Sequence, residues 1–429
     1  VKVGAPVGSR AGEDGDVGAI LPALFVPYWP PGNQLNGIVT STARMVMGYR
    51  EIGVEPVVVA TRLSGTADGD VVSLSEIGVE APLLRAGRLL SRLIPPGDRW
   101  AALRQRARLA GLKLVREGRA SVFEVEESFG FARELLRLSP VPVVIRLRGP
   151  WFLNGVANGA GADADFGARV NLEGRLLRSA VSVTAPSGDV LVQTERRYGL
   201  AFPHSAVIPN AAEIPPVESG WRPATAEPGH VLFVGRFDRH KGGDVVVRAF
   251  ALLAGRWPGL ELSFAGPSTG CQLDDGRVVD LGPYIDETVA PEHRRRIRVL
   301  GPVAQSSLPE LRRRAAVTVV ASRYEVFGNV VVEAAAMGCP LVASGAGGIA
   351  EIVRDGETGL LVEPGDAESL ANGIERLLAD PALAARLGER ARADCVARFS
   401  AAAVARRTLS FYAEAIERWR ACGRGGRVR

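Results

Sequence analysis

The sequence predicts two open α/β domains, each a parallel sheet covered by helices, with a hinge between them. Three observations carry that reading. Short β-branched runs alternate with helical stretches along the chain, the pattern of parallel sheets. Several of those runs are apolar from end to end, as strands covered on both faces are. The alternation breaks between Glu213 and Gly229, where Pro215, Pro216, Pro223 and Pro228 mark a linker. At 429 residues the chain exceeds one ordinary core and suits two or three domains.

The elements follow in order. In the first half, Ile20–Val26, Pro56–Ala60, Val122–Glu126, Val141–Leu147 and Val181–Ala185 read as strands. The segment Asn36–Ile52 reads as a helix, with Asn36 able to cap its start and Gly53 its end. Beyond the linker, Val231–Val234, Leu260–Ala265, Ile297–Leu300, Val317–Ala321, Pro340–Ala343 and Leu360–Val362 read as strands. Between them Gly243–Arg256, Ser307–Ala315 and Asn329–Met337 read as helices, and more follow from Ala367. The division is residues 1–222 against 223–407, with the helix of residues 408–429 packing back on the first domain. Ligands of such sheets sit at the carboxyl ends of the strands, so the cleft between the domains is the expected site.

Composition narrows the function. Hydrophobic residues make up 47% and charged residues 23%, which excludes a disordered or coiled-coil chain. The 50 glycines lack a collagen period and suit many tight turns. Cys271, Cys339, Cys395 and Cys422 lie far apart, and only four histidines accompany them, so a Cys/His zinc site is not expected. A net charge of +5 with 6% aromatics lacks the footprint of a nucleic-acid binder. Residues 1–18 show no basic start followed by an apolar core, and Ala19–Pro30 is too short and proline-broken to span a bilayer. The expectation is a cytoplasmic protein.

The chemistry concentrates in Ser322–Asp366. Glu325-Val-Phe327-Gly328-Asn329-Val-Val-Val-Glu333 sets two carboxylates eight residues apart across a strand–turn–helix junction. Gly328 permits the turn, and the helix start near Asn329 offers free N–H groups to a phosphate. Carboxylates flanking such a seat suit hydroxyls: one can hold a sugar on one side of a diphosphate, the other a ribose on the far side. Positive charge comes from Phe233-Val-Gly235-Arg236-Phe-Asp-Arg-His-Lys241-Gly242, where a strand ends in a glycine turn. An arginine fork and a lysine point charge together suit a diphosphate, and would stabilise it as a leaving group.

These motifs, in this order, resemble the retaining glycosyltransferases of family 4, the group 1 glycosyl transferases. The likeness covers most of residues 20–410. It continues through Val299-Leu-Gly301, Gly338-x-Pro340-Leu-Val, Gly347-Gly348-x-x-Glu351-Ile, Asp355-Gly356-x-Thr-Gly359-Leu-Leu-Val and Pro364-Gly-Asp366. The resemblance implies the GT-B fold of two facing Rossmann-like domains and transfer of a hexose-type sugar from a UDP- or GDP-sugar to an acceptor hydroxyl. It implies no metal. Arg236 and Lys241 would hold the donor diphosphate, Glu325 and the backbone of Phe327–Asn329 the transferred sugar, and Glu333 the ribose. Gly235 and Gly37 join this donor set. Gly32–Gly37 matches the loop that closes over the donor, with Asn36-Gly37 where relatives carry paired glycines. Where many relatives have a histidine before a glycine, this chain has Arg148-Gly149. Arginine stays protonated and cannot act as a base, so Arg148, like Asn36, is a candidate for donor or acceptor contact. The acceptor implied is a glycan, a lipid-linked saccharide or a small molecule.

Other readings stand beside this one. Gly345-Ala-Gly347-Gly-Ile-Ala350, with Glu363 beyond it, fits a dinucleotide fingerprint and would suggest an NAD-dependent oxidoreductase. A catalytically impaired nucleotide-sugar-binding protein of the same fold is another. Asp163-Ala-Asp165 and Asp274-Asp275 read as loop acids rather than metal ligands. Between Arg85 and Arg119 ten basic residues interleave with leucines, a pattern that suits either a solvated face or peripheral contact with the inner face of the cell membrane.

Overall fold

The computed structural model describes residues 20–31, 37–66, 68–77, 101–157, 159, 161 and 163–423. Two parallel sheets organise them. The first contains β1 (Pro22–Val26), β2 (Val57–Ala60), β3 (Val71–Ser73), β4 (Val122–Glu126), β5 (Val143–Arg146), β6 (Ser182–Ala185) and β7 (His204–Val207). Their spatial order is β3-β2-β1-β4-β5-β6-β7. The second half opens with β8 (Glu227–Val234) and β9 (Glu261–Ala265), followed by a small antiparallel hairpin of β10 (Cys271–Gln272) and β11 (Val278–Val279). With β12 (Ile297–Gly301), β13 (Ala315–Val320), β14 (Leu341–Ser344) and β15 (Leu360–Val362), the second sheet runs β12-β9-β8-β13-β14-β15.

The order reverses between β1 and β4 in one sheet and between β8 and β13 in the other. Those switch points open a crevice at the carboxyl ends of the strands. Both central strands are apolar and buried along their inner lengths: Ala23–Val26 and Val231–Phe233 are all nearly inaccessible. Each such Val, Leu or Phe contributes about 1.5–3 kcal/mol by burial. The sequence reading misses β3, β7 and the two-residue strands β10 and β11. Strands β3 and β7 are edge strands with mixed composition; in His204–Val207 only His204 is buried, so no apolar run marks them. Strand β8 starts at Glu227, earlier than the apolar pattern indicates, because Glu227 pairs along β13 at Ala315.

Of the linker prolines, Pro215, Pro216 and Pro223 sit in and around two single turns, Val217–Ser219 and Pro223–Thr225, while Pro228 lies inside β8. The last helix, Ala401–Ala421, lies across the helix Gly37–Glu51 on the face of the first sheet. Phe411 stacks on His204 with ring centroids 4.0 Å apart, and Tyr412 is fully buried. The crossing is close because position 48 has no side chain: a Cβ on Gly48 would lie 2.2 Å from the Ala401 carbonyl oxygen.

Beneath these helices lies a buried polar layer carried by β4 and β5. Tyr412 Oη donates to Glu124 at 2.6 Å. Arg146, fully buried, donates to the carbonyls of Ile208 and Pro209 at 3.2 and 3.1 Å. Arg148 donates to Ser41 Oγ at 2.6 Å and Thr42 Oγ1 at 3.1 Å, tying β5 to the helix Gly37–Glu51. Burial lowers the Arg148 pKa to about 10, which leaves it charged at neutral pH. Glu127 accepts the backbone N–H groups of Arg148 and Gly149. Glu126 is buried with Oε2 lacking a hydrogen-bond partner. Burial raises its pKa to about 7 against the pull of Arg148 and Arg169. Burial, then Glu173 and Glu126, raise Glu127 to about 8.

Two outcomes follow from this packing. Gly48→Ala would ordinarily strengthen a helix by about 1 kcal/mol. Here the clash with Ala401 reverses the sign, and urea unfolding should show a loss of roughly 1–3 kcal/mol. A gain would mean that the last helix does not rest on Gly48. The second concerns pH. A carboxyl whose folded pKa is raised holds its proton in the fold after the unfolded chain has released it. Stability therefore falls as pH rises from about 4.5 through 7. Glu126→Gln should gain on the parent protein between pH 5 and pH 8, by on the order of 1–3 kcal/mol. A difference that stays flat across that window would show that Glu126 is not the titrating group.

Candidate active site in the interdomain cleft

The turn after β8 supplies the cations of the second half. Gly235 follows the strand, and Gly266 passes so close that a Cβ there would lie 1.9 Å from the Gly235 carbonyl oxygen. Asp238 organises the turn: Oδ2 accepts from Arg236 Nε at 2.6 Å and Oδ1 from the Lys241 backbone N–H at 2.7 Å. Gly242 then adopts φ 70° with the Ala321 carbonyl oxygen 2.0 Å from where a Cβ would stand. Only glycine fits there.

Facing this turn is the segment between β13 and the helix Asn329–Met337. Lys241 Nζ donates to Glu325 Oε1 at 2.5 Å, and Ser322 Oγ to the same oxygen at 2.8 Å. Burial alone would raise the Glu325 carboxyl. Lys241 and the two hydrogen bonds outweigh it and hold the group below the ordinary carboxylate range. His240 donates Nε2–H to the Tyr324 carbonyl at 2.7 Å. Burial and the neighbouring Lys241 lower its pKa, so it is neutral at pH 7. Arg323 grips Asp244 with both guanidinium nitrogens at 2.7 and 2.8 Å. Gly328 turns the chain at φ 109° into the helix start at Asn329, and Phe327 is buried edge-on against Phe399.

The first half meets this segment directly. Ser187 Oγ donates to the Val326 carbonyl at 2.7 Å, Asn210 Nδ2 to Asn329 Oδ1 at 3.3 Å, and Tyr324 Oη to Asp189 at 3.0 Å. Glu351 accepts the Gly188 and Asp189 N–H groups, both at 2.8 Å, at the start of the helix Gly188–Tyr198. Across the cleft Arg44 Nη2 donates to Glu333 Oε1 at 2.7 Å, while Arg312 Nη2 donates to Oε2 at 2.7 Å. Burial acts against these arginines, but they and their hydrogen bonds outweigh it and hold Glu333 below the ordinary carboxylate range.

Of the residues singled out from sequence, the structure gathers Gly235, Arg236, Lys241, Glu325, Phe327, Gly328 and Asn329 around one turn-and-helix-start. Glu333 lies one turn further on, but both its oxygens already accept guanidinium donors. Gly37 opens the helix Gly37–Glu51 and is exposed. Arg148 points its guanidinium at Ser41, Thr42 and Glu124 rather than into open space. Asn36 and Gly32 lie outside the described residues, as do residues 85–100 of the basic segment. Its remainder, the helix Ala101–Arg116 and the turn after it, pairs Arg104 with Glu134 and Arg119 with Asp70 and Glu117. Asp163 caps the helix Ala164–Leu177; Asp274 and Asp275 pair with Arg239 and Arg277.

Sequence reasoning missed Asp238, His240, Arg44 and Arg312. Asp238 had a signal, an acid set between two cations in one short turn. Arg44 had none, being 289 residues from its partner. The dinucleotide-like glycines have a different use. Gly347, at φ 55°, would put a Cβ 2.3 Å from the Glu325 carbonyl oxygen, and Gly348 one 2.6 Å from that of Val326. They let the loop after β14 pass beneath the Glu325 segment, and Gly348 N–H donates to the Glu325 carbonyl at 2.8 Å. Chemically, Arg44, Arg236, Lys241 and Arg312 face Asp238, Glu325 and Glu333.

Comparison with known proteins agrees with this architecture. Residues 35–214 match the model described as Glycosyltransferase Family 4, and residues 222–394 the model described as Glycosyl transferases group 1. A D-inositol 3-phosphate glycosyltransferase of Nocardiopsis dassonvillei is 33% identical over 54% of this chain and 56% of its own. Glycogen synthase of Mycobacterium tuberculosis is 32% identical over 56% of each. The chain thus spans about half the length of these relatives. Among solved structures, sucrose-phosphate synthase from Thermosynechococcus elongatus shares the fold with a TM-score of 0.66 at 24% identity, over 92% of this chain and 98% of its own. HepE of Anabaena, solved with UDP-glucose, gives a TM-score of 0.62 at 20% identity, over 92% and 99%. With one family model on each half and the two sheets facing across a cleft, the chain belongs to the family 4, group 1 glycosyltransferases of GT-B fold.

Proposed function

We propose that this chain transfers a hexose-type sugar, with retained anomeric configuration, from a UDP- or GDP-sugar to an acceptor hydroxyl. The observation that carries the reading is the pairing of Lys241 with Glu325 beside Arg236 at one helix start. Cations for a diphosphate and an ionised carboxylate for sugar hydroxyls stand side by side there. HepE, solved with UDP-glucose at the same fold, supports a nucleotide sugar as donor. The acceptor belongs to surface polysaccharide, glycolipid or glycosylated-metabolite synthesis, as a glycan, a lipid-linked saccharide or a small molecule.

In this reading the bond between the sugar C1 and the diphosphate oxygen breaks, and a bond from the acceptor oxygen to C1 forms on the same face. The acceptor proton passes to the departing phosphate oxygen. Arg236 and Lys241 meet the charge that grows on that oxygen, and act without a resident metal. Asp238 fixes both of them. Glu325 orients the sugar through its hydroxyls, and the N–H groups of Phe327–Asn329 lie along the same path. Neutral His240 holds the Tyr324 carbonyl and leaves the charge balance to Lys241.

A panel of UDP-, GDP- and ADP-sugars, scored for transfer and for slow donor hydrolysis, tests the proposal. Arg236→Ala should lower kcat by about 10²–10³, and Glu325→Ala should abolish sugar discrimination while nucleoside diphosphate still binds. Failure of every donor to bind or turn over would sink the reading. Donor binding without turnover would point instead to a catalytically impaired binding protein. Unchanged turnover in Arg236→Ala would remove that residue from the phosphate clamp.

A further inference from the structure

We infer that Arg44 is a positioning residue of the nucleotide pocket, acting through Glu333, so that the ribose of the donor is bound well only when the two halves stand together. The inference rests on the reading of the cleft as a nucleoside-diphosphate site. It starts from the ion triad on the helix Asn329–Met337. Each oxygen of Glu333 accepts one guanidinium nitrogen at 2.7 Å, one from Arg44 and one from Arg312. The side chains of Arg44 and Arg312 are 10% and 5% exposed, that of Glu333 is 19% exposed. The two arginines are buried behind the carboxylate, and the carboxylate keeps an open side.

A carboxylate oxygen has two lone-pair sites, and a guanidinium only donates. Each Glu333 oxygen therefore retains one acceptor site after the arginines have taken theirs. Two adjacent acceptor sites at fixed orientation suit a vicinal diol, whose two hydroxyls donate side by side. Without Arg44 the carboxylate loses one of its two anchors and is free to rotate about its terminal torsion. The diol would then have to supply the order that the triad now provides, at a cost in affinity.

The two arginines differ in where they are attached. Arg312 lies near the end of the short helix Leu308–Arg314 of the second half and stays beside Glu333 whatever the first half does. Arg44 belongs to the helix Gly37–Glu51, which packs with the last helix on the first sheet. Its bond to Glu333 exists only while the halves are closed as seen here. Ribose recognition and closure are thereby coupled in one equilibrium, and each strengthens the other by the same factor. Breaking the triad from the other side is also costly, since Glu333→Ala leaves two buried guanidiniums without their anion.

The test uses the full chain and isothermal titration with UDP, GDP and ADP and with their 2′,3′-dideoxy counterparts. The parent protein should bind its preferred ribonucleotide more tightly than the dideoxy form. Arg44→Ala should weaken the ribonucleotide about tenfold, as expected for loss of one charge-assisted anchor, while the dideoxy form binds as before. Arg44→Lys should recover some of the loss. Arg44→Gln, which keeps the stem without the charge, stands in should the alanine variant not fold. Equal weakening of both forms, or of neither, would overturn the role given to Arg44. If Glu333→Ala leaves the ribose preference intact, or the parent protein binds none of the six nucleotides, the reading of the pocket fails and takes this inference with it.

Discussion

The segment Ser322–Asn329 is held from four sides, and the cleft depends on it. His240 and Lys241 bind it from the turn after β8. Gly348 donates to its Glu325 carbonyl from the loop after β14. Ser187 and Asn210 reach it from the other half of the molecule, and Arg323 anchors its start on Asp244. A strand-to-helix turn cannot satisfy its own carbonyls, and left alone in a buried cleft it would carry unpaired groups at a cost of about 1–3 kcal/mol each. Here each carbonyl named accepts from a different element. The same bonds that satisfy the turn also fix where Glu325 and the helix start stand relative to Arg236 and Lys241.

Glycine makes that crowding feasible. Gly242, Gly266, Gly347 and Gly348 each stand where a Cβ would lie within 2.6 Å of a carbonyl oxygen of a neighbouring segment. A side chain at any of them would force open a contact between segments that meet at the cleft. The glycine-rich composition is thus tied to how tightly the second half converges on its ligand face. Gly48 has the same function at a distance: it brings the last helix down onto the first sheet, which in turn seats the helix carrying Arg44.

Electrostatics divides the cleft into two settings. Around Glu325 the charges pair within the second half, so they are in place before the halves meet. Around Glu333 one cation is local and the other arrives from the first half. The buried layer on β4 and β5 is a third setting, where Glu126 and Glu127 are pushed toward neutrality by burial while Arg148 stays charged. Arg148 is engaged there by Ser41 and Thr42 and so ties the end of β5 to the helix Gly37–Glu51.

The two parallel sheets are legible from local pattern alone, because strands buried on both faces must be apolar throughout. The turn at Gly235–Gly242 and the junction at Glu325–Glu333 are legible too, since short-range spacing puts glycine, cation and carboxylate on one element. The edge strands β3 and β7 are not, because half-exposed strands carry no such pattern. Which charges meet is settled in three dimensions. Lys241 reaches Glu325 across 84 residues and Arg44 reaches Glu333 across 289. Pairing at such separations is set by how the sheets close on one another, and neither composition nor periodicity along the chain encodes the partner.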